Sequence, residues 1–337
     1  MQVFAEMRLD GRENHVRIQS HHAGLSLFLR HMPPPDGVRS RGVVLYVHGA
    51  TFPSALSIAY RFDGRSWRDE LCAAGFDVWG LDFLGYGSSD RYPDMTETAE
   101  GRPPLCRAED ASRQIEAAVR AIGDRQGLAR VSIIAHSWGT IAAGRFACRC
   151  PDLIDRLVFF GPIARRNGAG DASASAAWRS VTLQEQWDRF TAEVPVGEPP
   201  VLSPRHFINW GERYLDSDPA SRGQTPAAVR TPTGPWFDIA SAHHGDLAYD
   251  PAEVCVPVAI IRGEWDGLCT DADAAWLLDA LASSPQRRDV KIGRGTHLMH
   301  LEAGRYALYR ETEAFLCGGD IAPSESRPVN EESACLS

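Results

Sequence analysis

The chain has 337 residues, of which 44% are hydrophobic and 23% charged, the balance of a compact chain with a sizeable core and not of a disordered, collagen-like or membrane-spanning one. Its 35 Lys and Arg against 44 Asp and Glu leave a net charge of -9. Phosphate backbones and anionic lipid heads feel no long-range attraction from such a surface, so neither nucleic acid nor a membrane is expected as a partner.

The predicted elements run in chain order as follows. The first thirty residues carry neither a basic stretch followed by an apolar one nor a span of about 20 apolar residues, so no export signal or anchor is read there. A pair of strands covers His15 to Gln19 and Leu25 to Arg30. Apolar strands follow at Val43 to Val47, Val78 to Leu81, Val131 to Ala135, Leu157 to Phe160, Val258 to Ile261 and Val290 to Ile292. Between them lie segments with apolar residues at three- and four-residue spacing: Arg65 to Ala74, Ala108 to Ile122, Trp138 to Arg149, Asp271 to Leu281 and Ala303 to Phe315. Strands apolar nearly throughout, alternating with amphipathic helices, predict an α/β fold: a mostly parallel central sheet covered by helices on both faces.

The alternation breaks once. Some ninety residues rich in Ala, Ser, Pro and Trp separate two sheet strands, too many for a loop. Residues 164–253 are therefore expected to form a helical cap, with helices over Trp178 to Glu193, His206 to Leu215 and Trp236 to His243. The core domain takes 1–163 and 254–317, and 318–337 has the composition of a flexible, solvated tail. Eight cysteines are dispersed without the density of a disulfide scaffold, which fits reduced thiols and a cytoplasmic location. Cys148 and Cys150 form a C-x-C without a second pair, so no metal is assigned to them. Oligomeric state has no signature in the sequence.

The segment Val131-Ser-Ile-Ile-Ala-His-Ser-Trp-Gly-Thr140 takes a buried strand into a helix across a very short turn, and Ser137 sits on that turn. Ala135 and Gly139 flank it at the spacing of the G-x-S-x-G elbow, where crowding between strand and helix leaves little room for side chains. Ala in place of the first Gly is the smallest possible departure. A serine hydroxyl is a poor nucleophile at neutral pH and needs a base within hydrogen-bond reach and a third group to orient that base. The chain offers both in order. Asp266 lies in the turn Arg262-Gly-Glu-Trp-Asp-Gly267 after one strand, and His297 closes Gly293-Arg-Gly-Thr-His297 after the next. His300 competes for the base but should already lie on the following segment; Glu264 and Asp271 compete with Asp266.

These motifs resemble the α/β-hydrolase superfamily, in the branch with a serine nucleophile and an inserted cap, over about Val43 to Phe315. Tyr46-Val-His-Gly-Ala-Thr51 resembles the H-G-x-x turn after the third strand, and Asp82-Phe-Leu-Gly-Tyr-Gly-Ser-Ser-Asp90 the glycine-rich turn after the fourth. The resemblance implies a Ser137–His297–Asp266 triad, its spacing around Gly263 and Gly267 favouring Asp266. It also implies an oxyanion hole from the backbone N–H groups of Ala50 and Trp138, with Thr51 as the substitute for Ala50. His136 and His48 read as packing or bracing residues. His243 and His244 are adjacent and carry no metal reading, and Trp178, Trp187, Trp210 and Trp236 either line a pocket or bury the cap.

A serine at the elbow excludes the branches that need a carboxylate there and leaves acyl transfer. The expected activity is hydrolysis of a carboxylic ester or lactone of a small, moderately apolar molecule through an acyl-enzyme, with no metal or organic cofactor. Acyl transfer to another acceptor, amide or thioester cleavage, and non-catalytic ligand binding are the alternatives.

Overall fold

The computed structural model describes residues 8–168 and 176–318; the tail expected beyond Gly318 lies outside them. Strands β1 (Asn14–Gln19) and β2 (Ser26–Met32) open the chain as an antiparallel pair. Next come β3 (Gly42–Val47), helix α1 (Trp67–Ala73), β4 (Phe76–Asp82), α2 (Ala108–Gln126), β5 (Val131–His136), α3 (Gly139–Arg149) and β6 (Ile154–Phe160). After an excursion, β7 (Trp178–Thr182), α4 (Leu183–Thr191), α5 (Pro204–Asp216), β8 (Ala228–Pro232) and α6 (Gly234–His243), the alternation resumes with β9 (Val258–Gly263), α7 (Asp271–Ala280), β10 (Arg287–Ile292) and α8 (Arg305–Leu316).

The central sheet has eight strands in the order β1-β2-β4-β3-β5-β6-β9-β10. All pairs from β4 to β10 are parallel, while β2 is antiparallel to both its neighbours. Alternate residues of each inner strand feed opposite cores. Val43, Leu45 and Val47 of β3 pack with Ile133, Ala135, Leu157 and Phe159 under α2 and α3, whereas Val44, Tyr46, Ile134, Val158 and Phe160 face α1 and α8. Fully apolar strands are the outcome of burial on both faces.

Local chemistry sets the helix ends. Ser66 caps α1 and Thr270 caps α7, each with a reciprocal bond to an aspartate at the third helical position, Asp69 and Asp273. Gly127, left-handed at φ 66°, terminates α2 beyond the expected Ile122. Two strands also extend past their apolar runs, because pairing continues where burial stops. β6 starts at Ile154, opposite Val131, and the edge strand β10 starts at the charged Arg287, opposite Val258.

The excursion departs from the all-helical expectation by carrying a two-stranded sheet, β7 and β8. The single helix expected over Trp178 to Glu193 is instead β7 followed by α4, with Thr182 accepting from the Glu185 backbone N–H to start the helix. Strand β7 is held by antiparallel pairing with β8, from Trp178 opposite Pro232 to Thr182 opposite Ala228. Its Val181 is buried among polar neighbours, so the local pattern alone does not separate strand from helix. A third core of Phe52, Phe190, Phe207, Trp210, Val229 and Leu298 joins the excursion to the loops after β3 and β10. Among the described residues no helix is long and apolar enough to cross a membrane.

Candidate active site

Strand β5 delivers Ser137 at its carboxyl end. The residue is left-handed at φ 56°, a conformation that costs a non-glycine residue about 1–3 kcal/mol and is kept only where surroundings enforce it. Here its N–H donates to the Phe160 carbonyl at 3.0 Å, and its own carbonyl accepts from the Thr140 backbone N–H at 2.9 Å and from Thr140 Oγ1 at 2.6 Å. Gly139 is required by contact: a Cβ there would stand 2.5 Å from the His48 carbonyl oxygen. Ala135, by contrast, is extended and fully buried, and its methyl is accommodated inside β5.

His297 Nε2 lies 2.8 Å from Ser137 Oγ, and its Nδ1 lies 3.0 Å from both carboxylate oxygens of Asp266. The three side chains, separated by up to 160 residues in sequence, thus meet in one line. Asp266 Oδ1 also accepts the backbone N–H groups of Leu268 and Cys269 at 2.9 and 2.8 Å, which fixes the carboxylate before it meets the imidazole. Burial opposes a charged imidazole, but the Asp266 charge, its hydrogen bond and the nearby Glu193 carboxylate outweigh it and hold His297 above the usual histidine range.

Ala50 lines the small cavity in front of Ser137, and Trp138 follows the serine at the head of α3. The backbone N–H groups of Ala50 and Trp138 have no protein acceptor among the described residues. Tyr86 OH donates to the Ala50 carbonyl at 2.8 Å, and the Trp138 indole donates to Asp238 at 3.0 Å, so both positions are held from behind. His48 sits beneath this loop, its Nδ1 2.7 Å from the Gly49 carbonyl and its Nε2 accepting the Phe83 N–H at 3.1 Å. Asp82 bonds to Ser54 and to the Ser88 N–H and ties the two glycine-bearing turns together.

The rival residues are engaged elsewhere. His300 lies on the next turn, buried against Phe52, Phe160 and His136; burial and then the His297 charge push its pKa down to about 3. His136 Nε2 meets the His297 carbonyl at 3.0 Å. Glu264 accepts the Arg294 N–H, and Asp271 pairs with Arg262 and Lys291. Glu302, raised to about 7 by burial, holds Thr296 just before His297.

Sequence reasoning missed three participants. Gly161, left-handed at φ 54°, places its backbone where a Cβ would lie 3.0 Å from both Asp266 Oδ2 and His297 Nδ1. Gly161→Ala is therefore expected to cost about 1–3 kcal/mol of stability and to lower kcat about 10²-fold by displacing the imidazole; a melting curve with steady-state kinetics reads both. The available signal was a glycine straight after a sheet strand. Glu193, just beyond α4, accepts the His297 N–H at 2.7 Å and the Gly267 N–H at 2.8 Å, clasping the two loops that carry His297 and Asp266. Arg189 of α4 reaches Thr51 Oγ1 at 2.9 Å. A charge on a helix gives no such signal in sequence, where it reads as a solvated face.

Glu193→Gln keeps the shape but replaces one acceptor by a donor. It should lower kcat roughly tenfold, about 1–2 kcal/mol. Because Glu193 helps hold the His297 pKa up, the acid limb of kcat/KM should also move to lower pH; a limb that stays put would assign Glu193 a structural role alone.

The cavity bounded by Ser137, His297, Ala50, Thr51, Phe52 and Arg189 is about 10 Å³, space for about one water. None of Trp178, Trp187, Trp210 and Trp236 borders it; Trp210 stacks in the third core and donates to the Leu56 carbonyl at 2.9 Å. A wider cavity, about 830 Å³, lies against α2 and the β1–β2 turn and does not include Ser137. Among the described residues, the ligand-type atoms close enough to hold an ion are those of His21, His22 and Asp110 on its wall, where both imidazoles meet Asp110 Oδ1. His243 and His244 are not part of such a group.

A sheet of this order with a strained serine turn, and an aspartate and a histidine after two later strands, defines the α/β-hydrolase class. The family model described as alpha/beta hydrolase fold matches residues 42–304, and the chain belongs to that family. Its sequence is 25% identical over 162 residues to the probable lysophospholipase BODYGUARD 2 of Arabidopsis thaliana. The match spans 48% of this chain and 31% of that longer protein. Among solved structures, it is similar to the esterase EaEST from Exiguobacterium antarcticum, at 17% identity and a TM-score of 0.60, over 90% of this chain and 99% of that one. It is also similar to a Paleococcus ferrophilus monoacylglycerol lipase, at 16% identity and a TM-score of 0.54, over 87% of this chain and 98% of that one. At these identities the structural likeness is one of fold.

Proposed function

We propose that the protein is a serine hydrolase that cleaves a carboxylic ester or lactone of a small, moderately apolar molecule through an acyl-enzyme. The observation that supports this most is the continuous contact from Asp266 through His297 to Ser137 Oγ, at 3.0 and 2.8 Å. In the first half-reaction His297 Nε2 takes the Ser137 proton as Oγ attacks the carbonyl carbon. The Ala50 and Trp138 N–H groups receive the oxyanion, a stabilisation of the order of 3 kcal/mol per donor. His297 then returns the proton to the leaving alkoxide. In the second half-reaction water yields its proton to His297, attacks the acyl carbon, and Ser137 leaves with the proton restored.

Residues 164–253 act as the cap in this reading. Arg189, Phe190 and Glu193 touch the loops around Ser137, and the small cavity beneath them corresponds to a closed state from which α4 must shift to admit substrate. The test is a side-by-side screen of p-nitrophenyl esters, lactones and aryl amides with wild type and Ser137→Ala. Ester or lactone turnover lost in the variant is the expected result. Turnover that persists in Ser137→Ala overturns the reading, and acylated alcohol formed in preference to free acid would move it to an acyltransferase.

A further inference from the structure

Among the described residues, the Ser137 cavity is lined by a cation, Arg189, that makes no ion pair. Arg189 projects from α4, and a single nitrogen, Nη1, makes both of its protein hydrogen bonds, to Thr51 Oγ1 and Gln186 Oε1, each at 2.9 Å. Both acceptors are neutral. Among the described residues no carboxylate lies within salt-bridge distance of it, and Nε and Nη2 have no protein acceptor. Its guanidinium instead stands 5.2 Å from the centre of the Trp236 ring.

Several other buried or half-buried arginines among the described residues are treated differently. Arg30 and Arg68 share Glu13. Arg166 uses its Nε and Nη2 edge to grip Asp273 at 2.9 and 2.7 Å, and Arg262 uses the same edge on Asp289 at 3.1 and 3.0 Å. Arg91, without a carboxylate in contact, is tied to the carbonyls of Gly87, Ser89 and Ser217. In Arg189 the edge that fits a carboxylate through two parallel N–H···O bonds is the unused one. Glu193, four residues further along the chain, has committed its two oxygens to the His297 and Gly267 N–H groups.

We infer that Arg189 is the specificity determinant of the site, and that the substrate is an ester bearing a carboxylate which pairs with the free edge of its guanidinium. The inference rests on the serine-hydrolase reading of Ser137 and narrows its substrate class. The electrostatics add a reason for selectivity. Arg189 also disfavours a charged His297, yet the imidazole becomes charged as Ser137 attacks. A substrate carboxylate on Arg189 neutralises that repulsion, so a neutral ester loses in turnover as well as in binding.

The experiment compares charged esters with neutral isosteres in two arms. One places the carboxylate on the acyl side (p-nitrophenyl half-esters of adipate and pimelate against their methyl-capped diesters), the other on the alcohol side (acetyl-4-hydroxybenzoate against its methyl ester). Wild type should favour the charged member by at least about tenfold in kcat/KM in one arm, and the arm identifies the side. The charged-to-neutral ratio should collapse toward one in Arg189→Leu and be partly kept in Arg189→Lys, with circular dichroism confirming that both variants fold. A second readout does not require turnover: adipate or 4-hydroxybenzoate should raise the melting temperature of wild type and not of Arg189→Leu. A ratio at or below one in both arms, or a ratio or thermal shift unchanged in Arg189→Leu, overturns the inference. Labelling of Ser137 by a fluorophosphonate alongside such a result leaves the hydrolase reading standing, whereas absent labelling removes that reading and leaves the thermal shift to decide the role of Arg189.

Discussion

Ser137→Ala is expected to lower kcat toward p-nitrophenyl esters by about 10⁴-fold or more, with a melting temperature close to that of wild type. The catalytic loss follows from the bond that cannot form: without Oγ there is no acyl-enzyme, and only the oxyanion donors and binding remain. The small structural effect follows from what the hydroxyl touches. Its hydrogen-bond partner is His297 Nε2 at 2.8 Å, while the strained turn is held by the Ser137 backbone and by Thr140. Alanine keeps the same Cβ and the same left-handed strain. Steady-state kinetics with a thermal melt on one preparation checks both parts, and activity within about tenfold of wild type would mean that another group attacks the substrate.

His297→Ala should be nearly as damaging, with kcat again down by about 10⁴-fold or more, because the serine then keeps its proton. The wild-type pH profile is expected to carry the same message. As the proposed base, His297 has to be neutral to accept the Ser137 proton, so kcat/KM is expected to rise with pH through its titration. Since the Asp266 charge and hydrogen bond, supported by Glu193, outweigh burial and raise that pKa, the midpoint is expected above the ordinary value of about 6.5. His300→Leu is the matched control: that imidazole stays neutral throughout, its pKa pushed down to about 3 by burial, and the limb should remain where it was. A limb that vanished in His300→Leu but survived in His297→Ala would transfer the role of base.

What the sequence makes legible here is what is encoded locally. The inner strands announce themselves because burial on both faces forces continuous apolar runs, and the elbow around Ser137 is written in five consecutive residues. Asp266 and His297 are readable because each lies in the turn that follows a strand. The pairing of β7 with β8 is not, since the partners lie some fifty residues apart in sequence and Val181 is the one fully buried residue of β7, too little for an alternation. The start of β10 at Arg287 is hidden for a similar reason: an edge strand is extended by its backbone ladder with β9 while its side chains stay polar. Glu193 and Arg189 are opaque for a different reason. Their partners are backbone N–H groups and a threonine hydroxyl on loops distant in the chain, and nothing in a helical charge pattern records which side chain turns inward. Gly161 belongs between these cases, its position visible and its purpose apparent only once Asp266 and His297 stand beside it.

The claim on which all of this depends is that Ser137 Oγ becomes covalently acylated. Reacting the full chain with a fluorophosphonate and mapping the modified peptide by mass spectrometry tests it most directly. A single adduct on the peptide containing Ser137, absent from Ser137→Ala and greatly slowed in His297→Ala, is the predicted result. Folded wild-type protein that stays unmodified, or an adduct on a different residue, would contradict it.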